Sequence, residues 1–178
     1  MDVTIATNRL VLRPQVESDI GALMSGLNDY EVVRYLTVVP FPYMLDDAQS
    51  WIAKQKPPAP GHATFAIDLP GEGMIGAVSL DNELGYWLAR RFHGRGIMTE
   101  ASEALLHWHF AALPDDLVPS GAQVGNAASL NVQNKLGFVD TGTTRMRFVR
   151  SQNREIEHVE TTLSLHDFQV AQQRLRRR

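Results

Sequence analysis

GYWLARRFHGRGIMTEA, Gly85 to Ala101, joins an aromatic and apolar strand to the start of a helix through two arginines and a Gly-Arg-Gly turn. Gly94 and Gly96 have access to backbone angles closed to residues that carry a Cβ, so successive N–H groups can converge on one concavity at a helix N-terminus. Such a concavity suits anionic oxygens, and Arg90, Arg91 and Arg95 add positive charge suited to phosphate. A glycine-bent connection that binds nothing fits the same residues. Two phosphate motifs are excluded: the Gly-Lys-Ser/Thr of a Walker loop is absent, and Thr99 stands where a dinucleotide fingerprint needs its third glycine.

Outward from this junction the chain alternates helices and strands. Three strands are expected in close succession, His62–Leu69, Gly73–Leu80 and Glu83–Ala89, with connectors short enough for hairpins, which makes this part of the sheet an antiparallel meander. Ahead of them, Leu10 and Leu12 alternate with Val11 and Arg13 as in a half-buried strand that stops at Pro14. Ile20, Leu23, Met24 and Leu27 then follow at helical spacing, with Ser18 or Asp19 as the N-cap. Tyr30–Met44 reads as a brief helix and a proline-bound loop, and Asp46 with Gln49 as a capping box. After the junction, Ile97 to about Leu113 is amphipathic, Gly121–Val124 is a weak fifth strand, and Ala127–Leu136 is a helix ending on Gly137. Val139–Arg150 and Glu155–Leu165 form a last hairpin, and His166–Arg178 a last helix. The fold class is α+β (mixed α/β), in one domain over residues 1–178, around a twisted, largely antiparallel sheet of about six or seven strands.

Composition narrows the function. The 178 residues are 44% hydrophobic and 21% charged, as in a globular domain, and no run of eighteen apolar residues predicts a membrane span. The first ten residues lack a basic segment followed by an apolar one, so a cytoplasmic location is expected. Without cysteine there is no disulfide, thiolate metal site or cysteine nucleophile, and no metal is implied. A net charge of −3 argues against nucleic-acid binding; the basic run Arg174–Arg178 is either a solvated end or a short arm for such a partner. His107 and His109 lie two apart on one helix and so on different faces, which excludes an i, i+4 metal pair and reads them as surface or half-buried residues.

Arg91-Phe-His-Gly94-Arg95-Gly96 resembles the Arg/Gln-x-x-Gly-x-Gly/Ala signature of the GNAT superfamily of N-acetyltransferases. The longer block LGYWLARRFHGRGIMTEA, the opening TNRLVLRPQVESD (Thr7–Asp19) and NAASLNVQNKLGF (Asn126–Phe138) are similar, in that order, to the blocks of the RimJ/RimL-like branch, whose named members acetylate ribosomal-protein N-termini. The resemblance implies a splay between strands four and five that receives the acetyl-pantetheine arm. Tyr86, Trp87, Leu88 and Ala89 would lie along that arm, and Arg91, Gly94, Arg95, Gly96 and Ile97 at the pyrophosphate. Asn126 matches the asparagine that bonds the arm, and it equally reads as a plain helix N-cap. The implied reaction is direct attack of a primary amine, on a protein N-terminus or a small molecule, upon acetyl-coenzyme A.

That reaction needs a base, for which Glu83 is the first candidate and Asp81 the second. It also needs an acid for the departing thiolate. Many relatives place a tyrosine where Gln133 stands, and Gln has no acidic proton; the resemblance to the branch offers instead the serine of its Asn-x-x-Ser pair, Ser129, with water as the other choice. Asn131 replaces a residue that is often basic in the branch. The implied assembly is a monomer or homodimer. The rival readings are a non-catalytic acyl-coenzyme A sensor, which would keep the turn without needing Glu83 or Ser129, and a nucleic-acid partner acting through the C-terminal arginines.

Overall fold

In the computed structural model, which describes residues 3–176, the chain opens with a short hairpin of β1 (Ile5–Ala6) and β2 (Val11–Arg13). Three helices follow, α1 (Ile20–Leu27), α2 (Tyr30–Val33) and α3 (Leu45–Ala53). Next comes the meander β3 (His62–Leu69), β4 (Gly73–Asp81) and β5 (Glu83–Leu88). Helix α4 (Ile97–Ala112) leads to β6 (Val118–Gln123), and α5 (Ala127–Leu136) to the hairpin of β7 (Val139–Val149) and β8 (Arg154–Leu163), closed by α6 (Leu165–Arg176). All eight strands join in one sheet ordered β1-β2-β3-β4-β5-β6-β8-β7. Every pairing is antiparallel except β5 with β6, which run parallel because α4 carries the chain back between them. No described helix is long and apolar enough to cross a membrane.

The alternation read in the sequence sends side chains to two cores. Leu10, Leu12, Phe65, Ile67, Val78 and Leu84 pack on one face against Ile97, Ala101 and Leu105 of α4 and Phe168 of α6. Ala66, Met74 and Ala77 pack on the other against Leu23 and Leu27 of α1, Ala48 of α3 and Tyr43. Trp87, one step out of phase with Tyr86 and Leu88, joins the second core. Its ring lies so close to Gly26 that a Cβ there would meet it at 2.3 Å.

Polar clamps lock the first hairpin. Arg13 donates both terminal nitrogens to Asp19 at 2.8 Å and its Nε to Asp68 at 2.7 Å. Glu100 of α4 accepts from Thr7 Oγ1 and Arg9 Nε, each at 2.6 Å, and from Arg9 N–H at 2.9 Å, while Arg9 also donates to Arg95 O at 2.9 Å. The glycine turn is thereby tied to the first strands of the sheet.

The elements match the expected order, with four corrections. There are eight strands, not six or seven, because two residues, Ile5 and Ala6, make a strand too short to show alternation. Neither Ser18 nor Asp19 caps α1 through its side chain: the Asp19 carboxylate is taken by Arg13 and Val16 N–H. The capping carboxylate of α3 is Asp47, accepting from Met44 N–H at 2.9 Å, and not the Asp46–Gln49 pair. His109 is fully buried, where its Nδ1 accepts from Gly61 N–H at 3.2 Å and its Nε2 lies 3.0 Å from Asp116. Of the basic run, Arg177 and Arg178 lie outside the described residues. In the outermost strand, β7, the register shifts between Asp140 and Thr144, where Gly142 has φ of +75° and Thr141 Oγ1 donates to Glu160 O.

Burial pushes the Asp19 carboxyl up, but the hydrogen bonds from Arg13 and Val16 outweigh it and hold the group below the usual carboxylate range. The stability this supplies is fully present above the unfolded carboxyl value of about 3.9 and is lost as pH falls through the lower folded value. Asp19→Ala should therefore cost about 2–3 kcal/mol in urea unfolding near neutral pH, and the deficit should shrink when unfolding is repeated at about pH 3.

Candidate active site

The parallel pair β5 and β6 is joined at a single register position, Leu84 opposite Ser120, with Ser120 Oγ donating to Leu84 O at 2.9 Å. Beyond it the strands separate. Ala89 N–H donates to Ile75 O at 2.9 Å, which sets the phase of the β4–β5 ladder. Alternation then turns the backbone of Gly85, Trp87 and Ala89 toward β4 and that of Tyr86 and Leu88 toward the gap. Leu88 O is taken by His93 Nε2 at 2.7 Å, leaving the Tyr86 N–H and C=O and the Leu88 N–H on an open edge inside the sheet.

At the far end of the gap stands the glycine turn. Gly94 and Gly96 have φ of +74° and +71°, a conformation that L side chains resist. The first helical bond of α4 is Glu100 N–H to Gly96 O at 3.1 Å, so the N–H groups of Ile97, Met98 and Thr99 have no intrahelical acceptor and Gly96 offers no side chain to cap them. Phe92 is buried under the turn, with the Arg91 and Arg95 guanidinium groups 4.7 and 5.6 Å from its ring centre. Partial positive charge at the start of a 16-residue helix and nearby cationic side chains give this turn the chemistry that suits an anion.

Two cavities meet at the gap. One, of about 730 Å³, runs from the splayed strands past Arg95, Gly96 and the start of α4 to Asn131 and Lys135 of α5. The other, of about 560 Å³, lies on the α1–α3 side, under the loop Tyr35–Tyr43 and over the floor of β5, β6, β7 and β8. Six residues line both: Tyr35, Leu36, Tyr86, Trp87, Asn126 and Ser129. At this shared wall the Tyr86 hydroxyl lies 2.9 Å from Ser129 Oγ and 3.2 Å from Ser129 O. Burial pushes the Tyr86 phenol up, and hydrogen bonds from Ser129 and Gln133 act in the opposite sense without cancelling it. Tyr86 thus stays a protonated donor at neutral pH.

The site is a strand edge opened inside a sheet, with an anion-binding helix start at one end and a second chamber at the other. A family model described as an acetyltransferase (GNAT) domain matches residues 9–139. The chain belongs to the GNAT acetyltransferase family. Its relatives include proteins named for the RimJ/RimL-like branch. The chain is 38% identical over 78 residues to YdaF of Bacillus subtilis strain 168, named as a candidate ribosomal N-acetyltransferase, in an alignment covering 41% of this chain and 43% of that protein. An N-acetyltransferase named p20, from Bacillus licheniformis, is 26% identical over 159 residues, 80% of this chain and 85% of the relative. Among solved structures, Mycobacterium smegmatis RimJ in complex with CoA-disulfide superposes with a TM-score of 0.76 at 19% identity, over 93% of this chain and 88% of that one, and shares the fold.

Of the residues singled out in the sequence of this GNAT domain, Trp87, Leu88, Gly94, Arg95, Gly96, Ile97, Asn126 and Ser129 line the larger cavity. Ala89 does not, since its N–H is bonded into β4. Arg91 does not either: its side chain is 67% exposed and lies 3.4 Å from Glu72, while the neighbouring Arg90 lines the cavity and pairs with Asp29 at 2.7 Å. Asn126 is an N-cap, accepting from Ser129 N–H at 3.2 Å, and it also faces both chambers.

Glu83 lines the second chamber, but both its oxygens accept from Arg147 Nη1, at 2.7 and 2.8 Å. One lone pair on each oxygen is engaged by that cation. Gln133 bridges Gly121 O and Thr161 Oγ1 beside the Tyr86 phenol. Sequence reading missed Tyr86 as a side chain and Lys135, which sits one helical turn beyond Asn131 and carries the charge Asn131 lacks.

The Tyr86–Ser129 contact predicts a measurable coupling. Tyr86→Phe and Ser129→Ala should each lower stability by about 1 kcal/mol, and the double variant should fall short of their sum by a similar amount in thermal or urea unfolding.

Proposed function

We propose that the protein transfers the acetyl group of acetyl-coenzyme A to a primary amine by direct attack in a ternary complex. One observation carries this: two separate cavities reach the same few residues from opposite sides of an open strand edge. The larger ends on orphan N–H groups and cations suited to a pyrophosphate, so the residues present fit a coenzyme A. Tyr86 and Leu88 would bond the pantetheine amides as a missing strand would. Arg95, Gly96 and the start of α4 would hold the pyrophosphate, and Lys135 is placed for a further phosphate. The second chamber then receives the amine, and the thioester lies between Tyr86, Asn126 and Ser129.

Chemically, an ammonium loses a proton, its nitrogen attacks the thioester carbonyl carbon, the carbon–sulfur bond breaks and the thiolate takes up a proton. An open-edge N–H, fixed before the reaction, stabilises the developing oxyanion. Ser129 Oγ, held by the Tyr86 hydroxyl, would relay to the thiolate the second proton that the attacking nitrogen gives up. The acceptor we favour is a protein N-terminus. The relative YdaF is named as acting on the ribosome, a neighbouring fold from Vibrio fischeri is titled a ribosomal-protein-S5-alanine acetyltransferase, and the rim of the second chamber exposes Val38 and Trp51, apolar surface for residues after the first.

Calorimetric titration with acetyl-coenzyme A, followed by thiol release on short peptides with free Ala or Ser N-termini and on small amines, tests this reading. Gly96→Val forces a β-branched residue into a left-handed conformation and should weaken acetyl-coenzyme A binding at least tenfold, roughly 1.4 kcal/mol. Binding without release on any amine would favour an acyl-coenzyme A sensor. No binding would end the proposal.

A further inference from the structure

The acetyl-transfer reading leaves open which group removes the proton from the acceptor. The second chamber holds one buried group that its other side chains leave unengaged. Its carboxylates each have a neighbour: Asp47 accepts from Met44 N–H at 2.9 Å, one oxygen of Asp81 lies 2.8 Å from His62 Nδ1, and both oxygens of Glu83 accept from Arg147 Nη1. Burial first, and Asp47 second, push the Tyr43 phenol up to about 12. The Tyr35 hydroxyl accepts from Arg34. Lys54, Arg147 and Arg150 are cations without a lone pair to offer.

His158 differs from all of these. It lies on β8, opposite Arg145 of β7 and Gln123 of β6, lines the same chamber and is 4% exposed. Its Nδ1 lies 2.9 Å from Ile156 O. A carbonyl oxygen can only accept, so the proton is on Nδ1 and the neutral ring keeps its lone pair on Nε2. That Nε2 is buried and has no hydrogen-bond partner among the described residues. A buried imidazole nitrogen left unpaired is costly and uncommon, and such groups concentrate where chemistry occurs. The flanking charges are balanced: Arg145 pairs with Glu160 at 3.0 Å and Arg147 with Glu83 at 2.7 Å, so neither cation faces the ring unpaired. Gln123, opposite His158 on β6, is itself turned to Arg34 O, to which its Nε2 donates at 2.8 Å. Imidazole is also the side chain that ordinarily exchanges a proton between pH 5 and 8.

We infer that His158 is the general base of the transfer, its Nε2 taking the proton of the acceptor ammonium through one water. His158 lines the chamber while its Nε2 is buried, so a water, and not the amine itself, is the partner the proposal requires. The balance is simple: the first ammonium proton moves to Nε2, the neutral amine attacks, the carbon–sulfur bond breaks, the second nitrogen proton passes through Ser129 Oγ to the thiolate, and the imidazolium releases the first proton to solvent.

The inference rests on the acetyl-transfer reading, and the experiment separates the two. With acetyl-coenzyme A and the peptide that the wild-type protein acetylates fastest, His158→Gln should lower kcat/KM by roughly 10² to 10⁴-fold while leaving calorimetric binding of acetyl-coenzyme A unchanged. The acid limb of the pH profile should lose one protonation step, and added imidazole should restore part of the rate to His158→Ala. Nitrogen NMR of the labelled wild type should show the Nδ1–H tautomer. A His158→Gln enzyme within threefold of wild type and with the same pH profile would overturn the assignment alone, as would an Nε2–H tautomer. A wild-type protein that releases no thiol with any amine overturns the transfer reading and this assignment with it.

Discussion

The structure depends on one withheld set of hydrogen bonds. Strands β5 and β6 are parallel neighbours in the middle of a sheet, yet they pair at Leu84 and Ser120 and nowhere else. Buried backbone groups are almost always paired, so strands that part company in a sheet interior create a demand for a partner. Here the demand falls on Tyr86 and Leu88, whose backbone faces the gap. Both cavities, the shared Tyr86–Ser129 wall and the anion-binding turn are arranged around that parting.

A gap of this kind collapses unless its rims are held from outside. The β4–β5 ladder holds one rim and the β6–β8 ladder the other, each over six register positions. Across the ends of the gap run polar ties: Arg9 reaches from the first hairpin to Arg95 O and Glu100, and Arg147 reaches from β7 to Glu83. Burial works to raise the Glu100 carboxyl, but Thr7 and Arg9 more than offset it and hold it below its ordinary range, so it stays charged through physiological pH. The turn that would meet a coenzyme is therefore braced against a strand ninety residues earlier.

Helices, meander and glycine turn were legible in the sequence because their signals are local. The Ala127–Leu136 helix and its Gly137 stop coincide with the structure to the residue. Asn126 was readable as a cap for the same reason. The rest depends on contacts distant in the chain. Glu83 looks like a free carboxylate until Arg147, sixty-four residues on, is brought to it. Arg91 sits in the motif yet points outward, because the short 3-10 turn Arg90–Phe92 spends its inward position on Phe92. His158 carries no pattern of its own; only the sheet shows that its Nδ1 is used and its Nε2 is not.

The bulge in β7 has a consequence for the molecule's outer boundary. An outermost strand presents its unused backbone to any other chain, a standing invitation to sheet growth between molecules. The shift between Asp140 and Thr144 bends β7 where it would otherwise run straight, and at the opposite border β1 is only two residues long. The β1 border is short, and the β7 border is broken so that its longest regular run is Thr144–Val149. The unpaired strand edge between β5 and β6, by contrast, is turned into the sheet, out of reach of a neighbouring molecule's strand.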